Sequence, residues 1–171
     1  GRGRVRGAPP CRLSHALVLA ALARALVAPW SEVRVTYGRE SYLVNVQPAA
    51  ASAAVAPPLV LLPPVGVGID RGFYRELQLA WARLGAPAAM HAPDLLGCGS
   101  ATPKPRRFYT PEVWAEQIDE YIRESVGRPC VLVAQGGLAP AALEIWRRSG
   151  RESIAAVSLV SPPSFQFFAE P

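Results

Sequence analysis

A switch in hydrophobic periodicity near residue 58 constrains this chain more than any other feature. Before it, Val33-Arg-Val-Thr-Tyr37 alternates apolar and polar residues, as a half-buried strand does. Gly38-Arg39 marks a turn, and Tyr42-Leu-Val-Asn-Val46 follows, so the pair predicts a β-hairpin. After it, Leu59-Val-Leu-Leu62 is an unbroken apolar run, the pattern of a strand buried on both faces of a parallel sheet. Ala88–His91, Val131–Val133 and Ile154–Val160 repeat that theme.

Segments of helical spacing separate these runs. Phe73–Leu84 predicts a helix with Leu77, Leu79, Ala80 and Leu84 facing inward. Thr110-Pro111-Glu112 reads as a helix start, with Thr as cap and Pro at the first helical position. That helix runs through Trp114, Ile118, Tyr121 and Ile122 to Gly127, and a third spans Pro140–Ser149 and closes at Gly150. Residues 47–57 form a low-complexity connector. The order β-β-β-α-β-α-β-α-β predicts an α/β fold: a mainly parallel sheet of about six strands with flanking helices, preceded by an antiparallel hairpin. Function in such sheets gathers at the carboxyl ends of the strands, here residues 63–68, 94–105, 134–138 and 161–165.

The chain's 171 residues suit one domain. Its net charge of +5 comes from the N-terminus: residues 1–31 hold Arg2, Arg4, Arg6, Arg12 and Arg24 and no acid. Setting those five aside from the eighteen basic residues leaves thirteen, which match the thirteen acids. A neutral body argues against a nucleic-acid partner, which requires basic charge clustered on the folded part. Cys11, Cys98 and Cys130 lack metal spacing and suggest no disulfide framework, and two histidines are few for a zinc site, so no metal or cofactor is expected.

Residues 1–30 form a leader-like segment. Leu13–Ala28 is apolar and alanine-rich, interrupted by Arg24, and shorter than the ~20 apolar residues that cross a bilayer, so no transmembrane segment is expected. An arginine-rich, acid-free, amphipathic N-terminus fits an organelle transit peptide and a plastid destination. A secretory signal with Ala16–Ala23 as its core, and an ordinary amphipathic helix in a cytoplasmic protein, are the alternatives.

Three stretches together resemble one family. HAPDLLGCGSATPKP (91–105) looks like the loop after the fourth strand of α/β-hydrolases, with Asp94, Leu95, Gly97 and Gly99 matching its Asp-Leu-x-Gly-x-Gly pattern. Tyr109–Gln117 resembles the helix that follows, and CVLVAQGGLAPAAL (130–143) resembles the strand, elbow and helix that carry the nucleophile. The resemblance runs from about residue 31 to 171, and its flavour is similar to plant and algal plastid members, pheophytinase-like ones included. It implies a partial, C-terminally incomplete α/β-hydrolase domain over 31–171, since the family sheet generally has eight strands.

The departures from that family decide the expected function. The nucleophile sits in G-x-S-x-G at a sharp strand-to-helix turn. The matching residues here are Ala134, Gln135, Gly136, Gly137 and Leu138, so Gly136 holds the serine position. Glycine cannot form an acyl intermediate, yet it adopts the strained dihedrals of the turn with little penalty. The family's His-Gly after the third strand is replaced by Pro63-Pro64-Val65-Gly66, and only Glu170 and no His follows residue 161. His91 reads as a packing residue, and a Cys98-centred activity lacks an adjacent base. The resemblance therefore implies no catalytic residue. Val65, Gly66, Gln135, Gly136 and Gly137 are the candidate ligand-binding residues, for a small acyl or ester-like molecule held by backbone N–H groups; a protein partner on the same face is a further expectation. A serine-independent hydrolase or lyase with its acid/base in a missing C-terminal part is the alternative.

Overall fold

The computed structural model describes residues 29–51, 56–99 and 109–163. Residues 1–28 of the leader-like segment, residues 52–55 of the connector after β2, the end of the 91–105 stretch and Glu170 lie outside them. Strands β1 (Ser31–Tyr37) and β2 (Glu40–Gln47) form the antiparallel hairpin that the alternation predicts. Gly38 makes its turn with φ +59, a value glycine accepts without a Cβ penalty. β3 (Leu59–Leu62), β4 (Met90–Pro93), β5 (Cys130–Gln135) and β6 (Ile154–Val160) are the apolar runs.

The six strands make one sheet in the order β1-β2-β4-β3-β5-β6. β2 runs antiparallel to β4, while β4, β3, β5 and β6 are mutually parallel. The mixed sheet with an antiparallel N-terminal hairpin thus matches the expected architecture. β4 lies two residues later than the sequence suggests, because Met90 and His91, not Ala88, pair with Leu59 and Val60.

Helix α2 (Pro111–Tyr121) and helix α3 (Ala139–Ser153) pack side by side on one face. Ala115, Ile118, Ala141, Ala142 and Ile145 close there on Val60, Leu62, Leu132 and Ala134 of the strands. Each fully buried Ile or Leu in this layer contributes about 1.5–3 kcal/mol. A second cluster under the hairpin joins Tyr42, Val44, Leu96 and Tyr121. α2 ends in a π-helical turn, Ile122–Val126, stopped by Gly127 at φ +66. Thr110 holds the N-cap position in extended conformation, but its side chain does not cap; it bonds the Glu112 carboxylate instead. α3 is broken at Gly150, as the spacing predicts: its φ of +58 and ψ of −160 are non-helical, and a short turn follows the kink.

The opposite face carries helix α1 (Arg75–Arg83), entered through a 3-10 turn, Arg71–Tyr74, that Asp70 caps by accepting from Gly72 N–H at 2.8 Å. Here the sequence expectation fails. Leu77, Ala80 and Leu84 are exposed, Leu84 at 74 %, and Leu79 is half-buried. The inward positions are Tyr74, Gln78 and Trp81, spaced i, i+4, i+7. Two polar anchors set this rotation. The Tyr74 hydroxyl donates to the Leu62 carbonyl at 2.8 Å, and Trp81 Nε1–H donates to the Ala88 carbonyl at 2.8 Å. Fixing both rings against Leu61, Met90 and Ala92 turns the leucines outward. Among the described residues, no helix is long and apolar enough to cross a membrane.

Candidate functional site

The turn between β5 and α3 passes from strand to helix through three residues. β5 ends at Gln135, a 3-10 turn covers Gly136–Leu138, and α3 begins at Ala139 with Pro140 in its first turn. Gly136 has φ +59, the left-handed conformation that costs other L-residues roughly 1–2 kcal/mol. A Cβ built on Gly136 or on Gly137 meets no atom within 4 Å. The position expected to hold a nucleophile therefore has the strained backbone and the open space for a side chain, and bears none. Leu138, fully buried, pins the turn to the core below.

The loop after β3 emerges beside this turn. Leu62 pairs with Ala134, so Pro63–Gly68 and Gln135–Leu138 leave neighbouring strands at the same end of the sheet. Val65 is half-exposed and Val67 fully exposed, while Gly66 carbonyl accepts from Ile69 N–H at 3.2 Å to turn the loop. The first turn of α3 leaves N–H groups without intrahelical acceptors. Backbone donors, and no ionisable side chain, characterise Val65, Gly66, Gln135, Gly136 and Gly137.

The adjoining loop after β4 is held by a polar frame that the sequence did not reveal. Asp94, fully buried, accepts from Arg71 N–H at 2.7 Å and from Arg71 Nη1 at 2.8 Å. Arg71 also bonds Asn45 Oδ1 at 3.2 Å and pairs with Glu32 of β1. Gln117 of α2 donates to the Asp94 carbonyl at 2.9 Å and accepts from Leu96 N–H at 3.0 Å. Trp114 Nε1–H donates to the Leu96 carbonyl. Asp94 is thus a structural clamp on the Leu95–Gly99 turn. Arg71 follows a cluster of glycines and carries no local signal of its partner, which lies 23 residues on.

Among the described residues, the histidine and both cysteines are buried or half-buried, with shifted pKa values. His91 is buried, with Nδ1 2.7 Å from the Tyr121 hydroxyl. Burial, with a smaller contribution from the Arg128 charge, lowers its pKa to about 4, so the ring is neutral near pH 7. Burial pushes the Cys98 thiol pKa up, helped by the Asp94 charge, which works against a thiolate. Burial raises Cys130 to about 12. Among the described residues, no group of three His, Cys, Asp or Glu could hold a metal. A cavity of about 210 Å³ lies at the other end of the sheet, lined by Ile122, Arg123, Gly127, Arg128, Pro129, Glu152 and Ser153.

No protein-family model matches the chain. No curated protein matches it by sequence. Solved structures do match by fold. A mutant haloalkane dehalogenase DatA from Agrobacterium tumefaciens C58 superimposes with a TM-score of 0.63 at 21 % identity, over 81 % of this chain and 43 % of that one. A membrane phospholipase A, described as a bacterial virulence factor, gives 0.63 at 22 %, over 87 % and 46 %. The thioesterase domain from the curacin biosynthetic pathway gives 0.63 at 22 %, over 78 % and 47 %. The chain spans about half the length of the structures it matches. Identities this low speak for fold alone, and on that ground, with the observed strand order and hairpin, the chain has an α/β-hydrolase-like fold.

Proposed function

We propose that this is a non-catalytic α/β-hydrolase-fold domain that binds a small acyl or ester-like molecule at the elbow face. One observation carries the reading: the turn at Gly136 keeps the left-handed backbone and the free space of a nucleophile elbow but holds no oxygen or sulfur to attack a carbonyl. Among the described residues no imidazole stands by it, since His91 is committed to Tyr121. What the face offers is N–H groups at Gly136–Leu138 and at Val65–Gly66. Preorganised donors of this kind hold a carbonyl oxygen whether or not a nucleophile is present. Val65 and Val67 supply an apolar rim for an acyl chain.

The purified chain should give no turnover of p-nitrophenyl butyrate above a Gly136→Ala control, and no covalent adduct with a fluorophosphonate probe. Titration with ethyl butyrate should shift the amide resonances of Gly66, Gly136 and Gly137. Burst kinetics or an adduct would refute the non-catalytic reading, and unmoved amides would refute the ligand. The arginine-rich, acid-free N-terminus supports a plastid destination; a fluorescent fusion of residues 1–30 that stays in the cytosol would count against it.

A further inference from the structure

We draw no further inference here: the strongest candidate, the cavity at the amino end of the sheet between the π-helical turn of α2 and the start of β6, is lined by two arginines that already have partners, Arg123 in Asp119 and Arg128 in the Ala56 carbonyl, and nothing in the structure shows what would fill it.

Discussion

His91 Nδ1 and the Tyr121 hydroxyl lie 2.7 Å apart between β4 and α2, and their rings meet edge to face with centroids 5.8 Å apart. The bond ties the sheet to the helix that carries Gln117 and, through it, the loop after β4. Burial keeps this imidazole neutral.

That neutrality gives the fold a pH dependence. The folded pKa of His91, about 4, lies below the ordinary 6.5, so the unfolded chain binds the extra proton first. The stability is fully present above pH 6.5 and is lost as pH falls from 6.5 toward 4, by about 3 kcal/mol across the window. Urea denaturation between pH 7 and 4 should show this slope, and His91→Gln should flatten it. Equal slopes in both proteins would place the effect elsewhere.

Gln78 is fully buried beneath α1, and neither amide atom of its side chain has a hydrogen-bond partner. An unpaired buried amide costs about 1–3 kcal/mol. Gln78→Leu, similar in volume, is therefore expected to raise stability by about that amount, read as a higher urea midpoint at an unchanged m-value. A lower midpoint would show that the amide has a partner such as an internal water.

Gly136 and Gly97 both have positive φ, yet alanine should affect them unequally. A Cβ at Gly97 comes within 2.5 Å of the Tyr109 ring, whereas at Gly136 it meets nothing. Gly136→Ala and Gly136→Ser should cost about 1–2 kcal/mol from backbone conformation alone. Gly97→Ala should cost at least ~1 kcal/mol more, because the ring must shift. Similar thermal melts for the two alanine variants would contradict the packing at Tyr109.

Arg71 places its guanidinium against the fully buried Asp94. Arg71→Leu should destabilise the chain by about 3 kcal/mol, because it strips a buried carboxylate of its counter-charge. Glu32, half-exposed on the same arginine, matters far less: Glu32→Gln should change stability by under ~1 kcal/mol. Equal losses would mean that the surface carboxylate, not Asp94, is the partner that counts.

How much was legible beforehand follows the range of the forces involved. The hairpin, the four apolar strands and the α2 and α3 segments could be read because local alternation and 3.6-residue spacing encode them. Gly136 could be placed at the elbow by counting from Val131–Val133. The facing of α1 could not: the periodic stripe named Leu77, Ala80 and Leu84 as buried, and Gln78 took the inside. The Arg71–Asp94 and His91–Tyr121 pairs were equally invisible.

By itself, then, the sequence determined the order and type of the elements, the glycine at the sharp turn, and the absence of a nucleophile there, since each depends on residues within one turn or one strand. Only the tertiary structure decided which face of α1 turns inward and which side chain answers Asp94. Those outcomes hang on hydrogen bonds from Tyr74 and Trp81 and on a guanidinium brought in from 23 positions away. Contacts between distant segments leave no periodic trace in a chain, so they exist only once the sheet has formed.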